Sequence, residues 1–386
     1  MANLFDYLDW RGDLPFSVAP FNVVDSLILS QFGYMPFEGI DKEFNGAKTY
    51  TVKELASKLH DADLGYYSNS PMDDDKHLLE LLPKSKRFSE MIVTEYENII
   101  STKDGIQFSA VVFLSEDGYI NIVYRGTDGT IVGWEEDFKL SYSTAIPSQT
   151  EALKYLKKIA KNHKGKMRLI GHSKGGNLAV YAGAHAPKYL KKRIEIIYCN
   201  EGPGFSKQEM TYPGHKEIKD KVEFYVPSSS VVGMLLLHNA RYKVIKSSSF
   251  SLAQHVTYSW QVTKDGYVPA KLSKVSQLLQ KTLNDWYRNL DEDDLKIYVS
   301  TIFNVIYSSK AQTLQDFTKK GLTKTIDMIN AMTHLDKDTK AVVIQVFKDL
   351  FKAGLNTIKE DNFIYKLATK NKKNGNKITK ALPSPR

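Results

Sequence analysis

Met167-Arg168-Leu169-Ile170-Gly171-His172-Ser173-Lys174-Gly175-Gly176-Asn177-Leu178-Ala179 sets an apolar run, a serine between two glycines and an Ala/Gly-rich stretch directly in series. The apolar run reads as a strand, and the stretch from Gly175 to His185 reads as a helix. Gly171-x-Ser173-x-Gly175 therefore sits where a strand turns into a helix, the context in which this short pattern acquires a mechanism. Such a turn forces the serine into a strained backbone geometry. The flanking glycines remove Cβ atoms that would collide with the neighbouring strand and helix. The serine hydroxyl is lifted above the sheet edge, and the amide of Lys174, at the helix N-terminus, points toward a developing oxyanion. A phosphate cradle is disfavoured, because neither Gly-x-x-x-x-Gly-Lys-Ser/Thr nor Gly-x-Gly-x-x-Gly spacing is present.

Outward from this turn the pattern alternates. Upstream, Phe108–Leu114 and Tyr119–Tyr124 form a hairpin across Ser115-Glu116-Asp117-Gly118, and a helical stretch spans Thr150 to Asn162. Downstream come strands at Ile194–Cys199, Val222–Val226 and Tyr242–Ile245. Strands and helices in this order predict an α/β fold, a mostly parallel sheet flanked by helices. Residues 1–90 read as a helical lead-in packed on the core, with Phe21–Leu29 offering apolar residues at helical spacing, and 91–270 as the α/β core. Past Pro269 the strands stop. Leu278, Leu279, Leu283, Trp286 and Leu290 begin amphipathic helices that predict a C-terminal helical module over 271–362, followed by a basic, disordered tail over 363–386.

The chain of 386 residues exceeds the usual size of one hydrophobic core. Its 42% hydrophobic and 25% charged residues are those of a globular protein. A single cysteine, Cys199, in an apolar run, implies a reducing compartment. The N-terminus has acidic residues where a secretory signal places lysines, and the longest apolar stretch, Val231–Leu237, is far short of a membrane span, so a cytoplasmic location is expected. The net charge of +9 is scattered among acidic neighbours and reads as a soluble basic surface; peripheral contact with an anionic membrane is the partner reading it leaves open. No nucleic-acid-binding signature accompanies the abundant aromatics, and nucleic acid is not expected as a partner.

At these residues the chain resembles the class 3 lipases and, more closely, a lipase-like α/β-hydrolase family of Gram-positive bacteria. The resemblance spans about Asn3 to Val262 and is carried by Gly171–Ala179, Tyr124-Arg125-Gly126-Thr127, and Trp134 with Asp137. It implies that Thr127, after the Arg-Gly pair at a strand end, supplies the second oxyanion donor beside Lys174. It also implies a small-molecule or lipid ester as substrate.

A serine hydroxyl needs a neighbouring imidazole, which follows in the order Ser-acid-His in this fold. His172 is fixed in the turn and His185 lies three turns down the helix. His255, after the last strand and in the Gln254-His255…Trp260 segment that the lipase-like family shows, is the candidate base. The acid departs from the lipase pattern. The aspartate expected after the penultimate strand is replaced by Ser228-Ser229-Ser230-Val231-Val232-Gly233. Ser230 takes its place by position, while Glu201, at the end of the strand after the serine's own, is the alternative partner for His255, and the choice stays open. No sequence spacing suggests a metal site, and serine, base and oxyanion donors need no cofactor. Acyl-ester hydrolysis by Ser173 is the expectation; a weakly active scaffold that binds lipid or a partner protein is the alternative, motivated by the absent aspartate.

Overall fold

A computed structural model describes residues 1–40, 48–60, 72–249 and 251–274, and single positions from there to 313. The helices are α1 Leu4–Arg11, α2 Val23–Phe32, α3 Val52–His60, α4 Met72–Leu81, α5 Ile131–Lys139, α6 Pro147–Asn162, α7 Lys174–His185, α8 Lys188–Lys191 and α9 Gly214–Ile218. The strands are β1 Tyr50–Thr51, β2 Ile92–Ser101, β3 Ile106–Leu114, β4 Ile120–Tyr124, β5 Met167–His172, β6 Ile194–Asn200, β7 Val222–Pro227 and β8 Tyr242–Ile245. The chain divides into two compact units, Met1–Val299 and Ser300–Arg386. The helical module expected over 271–362, including Leu278, Leu279, Leu283, Trp286 and Leu290, and the tail 363–386 fall almost wholly outside the described residues.

The eight strands form one sheet whose order follows the chain, β1 to β8. The pairs from β1 to β4 are antiparallel and those from β4 to β8 parallel. This is the expected α/β class. Consecutive parallel strands joined by right-handed crossovers place their helices on the same face. Accordingly α6, α7 and α9 share one core with alternate strand residues, in which Leu156, Leu178 and Ile218 meet Ile122, Leu169 and Ile197. The intervening residues Val123 and Ile170 face the other side, where Leu27 and Phe32 of α2, Leu55 of α3 and Leu78 of α4 cover them together with Trp260. The N-terminal helices thus supply the second layer that the crossovers leave open.

Local signals explain the start of this layer. Asn22 accepts from the Val24 amide and Asp25 returns to the Asn22 amide, a reciprocal cap that starts α2. β2 and α5 are among the elements without a counterpart in the sequence expectation. β2 carries a bulge between Thr94 and Glu97, with Glu95 at φ 55°, which interrupts the alternation a strand shows in sequence. α5 occupies a stretch whose apolar periodicity is spoiled by Gly133 and the buried Glu136. No described helix is long and apolar enough to cross a membrane.

Candidate active site

Ser173 stands between β5 and α7 at φ 57°, ψ −135°. The flanking glycines are sterically required: a Cβ on Gly171 would strike the Gly175 carbonyl, and one on Gly175 would strike the carbonyl of Tyr124 at the end of β4. The elbow is tied to β6 by Ser173 N–H donating to Asn200 O at 3.0 Å, and Gly176 N–H closes its first helical turn on Ser173 O at 2.9 Å.

The next strand end repeats the device. Glu201, directly after β6, also takes a positive φ, 51°, and its amide donates to Tyr225 O at 2.8 Å. Gly202 behind it has no room for a Cβ, which would lie 2.8 Å from the Asn177 amide. The turn drives the Glu201 side chain inward, to 1% exposure. There His255 Nδ1 lies 2.8 Å from Glu201 Oε2, and Ser230 Oγ donates to Oε1 at 2.5 Å. Ser230 in turn accepts the Gly233 amide at 3.2 Å. A carboxylate on Nδ1 selects the tautomer with its proton there and leaves Nε2 as the basic nitrogen. Of the two alternatives for partnering His255, Glu201 makes the contact; Ser230 reaches the carboxylate, not the ring.

His255 closes a 3-10 turn, Ser251–His255, that the N-terminal layer holds in place. Thr257 Oγ1 donates to Gln31 Oε1 of α2 at 2.8 Å, and Tyr258 donates to Asp75 of α4 at 2.7 Å. Trp260 Nε1 donates to Gln254 O at 2.7 Å, and Gln254 Oε1 accepts the Ser229 amide at 2.6 Å, joining this turn to the one that carries Ser230. The ring of His172, the residue before Ser173, lies 4.5 Å from that of His255. Burial, and then the neighbouring His255, hold His172 well below the usual imidazole range, so it is uncharged at neutral pH. The Tyr34 hydroxyl lies 3.1 Å from its Nδ1.

On the other side of the elbow stands Thr127, just past β4. Gly126 approaches so closely that a Cβ there would lie 2.7 Å from His172 O. Thr127 Oγ1 donates to Asp137 Oδ2 of α5 at 2.5 Å, while Asp137 Oδ1 is buried without a hydrogen-bond partner. Burial, with some repulsion from Glu136, raises the Asp137 carboxyl to about 6 against the pull of Lys174, Thr127 and His255. The Lys174 side chain leaves the reaction side entirely. Its Nζ is fully buried against Gln107 O at 2.9 Å, Gln107 Oε1 at 2.5 Å and Glu136 Oε2 at 3.0 Å. Glu136 also accepts the amides of Gln107 and Ser148, each at 2.9 Å.

All five residues singled out in the sequence, Ser173, His255, Glu201, Thr127 and Lys174, thus gather about the C-terminal ends of β4, β5 and β6. Tyr34, Glu136 and Gln107 are parts of the surroundings that no sequence spacing singles out.

A profile of the Mbeg1-like family matches residues 82–304, more than half of the sequence. The chain belongs to the Mbeg1-like family. The matched region of this Mbeg1-like chain contains Thr127, Ser173, Glu201, Ser230 and His255, whereas Gln31 and Asp75, which hold the His255 segment, precede it. No curated protein matches the chain. Among solved structures it is similar to one described as showing an unusual buried polar cluster in a family of fungal lipases, at 12% identity and a TM-score of 0.39 over 68% of this chain and 90% of the other. It is also similar to the propeptide complex of Rhizomucor miehei lipase, at 13% identity and a TM-score of 0.35 over 64% of this chain and 80% of the other.

Proposed function

We propose that this Mbeg1-like protein is a serine hydrolase that cleaves carboxylic esters, with lipid-like esters as the substrate class, through an acyl-enzyme on Ser173. The observation that carries the reading is the contact from His255 Nδ1 to the buried Glu201 carboxylate, with the His255 ring 4.5 Å from that of His172, the residue before the elbow serine. In the proposed reaction His255 Nε2 takes the Ser173 hydroxyl proton as Oγ attacks the ester carbonyl carbon. The amides of Thr127 and Lys174 hold the oxyanion. Collapse breaks the bond to the alcohol, which leaves with the proton from His255. Water, deprotonated by the same nitrogen, then releases the acid and restores Ser173.

The test is labelling of the purified protein by a fluorophosphonate probe, in wild type and in Ser173→Ala, His255→Ala and Glu201→Gln. Strong labelling of wild type, abolished in Ser173→Ala and much slowed in the other two, is expected. A folded wild type that does not label sinks the hydrolase reading and moves the binding scaffold ahead of it.

A further inference from the structure

At the far end of α7 from Ser173, a second group of chemistry-bearing side chains meets. His185 ends α7, Glu209 opens the 3-10 turn Glu209–Thr211, and His215 lies in α9. Both imidazoles direct Nε2 at one atom, Glu209 Oε1, each at 2.7 Å. The three elements are brought together by Gly214, where a Cβ would strike the Ala184 carbonyl; only glycine lets α9 approach α7 this closely.

Three features distinguish the cluster from an ordinary buried ion pair. Glu209 is 2% exposed, and the ion-pair partners of this carboxylate are the two histidines; no lysine or arginine bridges to it among the described residues. Its oxygen is therefore met by the two imidazole nitrogens, in a place that a cation could take. The rings are also fixed in advance. His185 is stacked between Tyr181, at 4.1 Å, and Tyr212, at 3.9 Å and 4° from parallel, while His215 rests on Phe205 at 4.6 Å. The planes of the two imidazoles stand at 88° to one another, and both Nε2 atoms meet the same carboxylate oxygen. Finally, the three donor atoms lie within 4.8 Å of one another. Ligands about 2.0–2.1 Å from a tetrahedral zinc ion lie roughly 3.3 Å apart, so each 2.7 Å contact between an imidazole and the carboxylate has to open by about 0.6 Å to admit the ion. His185, with its side chain 19% exposed, sets one side toward solvent, from which a water could complete four-coordination.

We propose that His185, Glu209 and His215 form a zinc site with three protein ligands and a fourth position open to solvent, which clips the β6–β7 connection onto the end of α7. The proposal is independent of the hydrolase reading. It must be told apart from the other grouping of His and Glu among the described residues, His172, Glu201 and His255 in the active site.

The experiment uses the full chain, stripped with a chelator and titrated with Zn²⁺ in competition with a chromophoric chelator, and separately with Co²⁺ followed by visible absorption. The expected result is one equivalent of metal with the intense absorption of tetrahedral cobalt, weakened more than about tenfold in both His185→Ala and Glu209→Gln and unchanged in His255→Ala. Circular dichroism confirms that each variant is folded. As a second readout, saturating zinc raises the Tm of wild type and leaves that of Glu209→Gln unmoved. Folded wild type that takes up no metal in large excess of zinc overturns the proposal, as does uptake that persists in both cluster variants or disappears in His255→Ala.

Discussion

Glu201 uses its two oxygens for different neighbours, Oε2 for His255 and Oε1 for Ser230. A glutamine here keeps the size but cannot act as an anion behind the ring, and its amide nitrogen competes with the imidazole tautomer. Glu201→Gln is expected to lower kcat by roughly 10³-fold with little change in KM. Ser230→Ala removes one hydrogen bond to the carboxylate while leaving the contact with His255, so a loss nearer to about tenfold is expected. Steady-state kinetics on a short-chain ester separates the two; equal losses would show that Ser230 does more than steady the acid. Asp137 sets a different test. Its carboxyl is raised to about 6 by burial, so in the folded state it keeps its proton after the unfolded chain has lost it. Folded protein thus binds more protons between the ordinary aspartate value and about 6, and stability falls as pH rises through that window. Relative to Asp137→Asn, wild type is expected to lose about 2 kcal/mol between pH 4 and pH 7, read from urea unfolding at both pH values. A constant difference across the range would mean that Asp137 titrates normally.

α5 and α7 are joined by a fully buried ion pair, Lys174 with Glu136, at the first residue of the helix that follows Ser173. The pair fixes α5, and α5 carries the Asp137 that holds Thr127. Lys174→Met leaves a buried carboxylate without its cation, and a loss of about 3–5 kcal/mol in urea unfolding is expected, with slower fluorophosphonate labelling of whatever folds. A loss below about 1 kcal/mol would show that the amides of Gln107 and Ser148 alone carry Glu136. These two helices also show what a sequence can and cannot convey. β5, the elbow and α7 each bear a local signal: an apolar run, two sterically required glycines and an alanine-rich helix. The strands β3 to β8 are legible for the same reason. α5 is not, because Glu136 is inward-facing and polar for the sake of a lysine far along the chain, and β2 is not, because its bulge cancels the alternation. The partnership of Glu201 with His255 depends on a turn that folds one residue inward against another 54 positions away, which no spacing encodes. The same holds for His185, Glu209 and His215: their convergence is set by the approach of α9 to α7, not by a ligand motif.

At the scale of the compact unit Met1–Val299, the N-terminal layer covers the sheet face opposite the crossover helices and also contacts the segment that follows His255. Asp25 and Arg87 lock that layer through a bidentate pair at 2.6 and 2.7 Å. Arg87 donates as well to the carbonyls of Leu14, Ala19 and Pro20, and Tyr7 donates to Asp25. Beyond it, Gln31 and Asp75 hold Thr257 and Tyr258 beside His255. The layer that closes the core therefore also holds the His255 segment, and the two are expected to loosen together. Arg87→Met strips Asp25 of its counter-charge and orphans three carbonyls, at an expected cost of about 3–5 kcal/mol. The consequence for cooperativity is sharper than the magnitude. In urea, tryptophan fluorescence, to which the buried Trp260 contributes among the chain's four tryptophans, and fluorophosphonate labelling, which reports Ser173 and His255, should fall along one transition in wild type. In Arg87→Met both should move together to lower urea. If labelling were lost well before fluorescence changed, the N-terminal layer would be a separable cover, and the His255 segment would depend on it without sharing its stability.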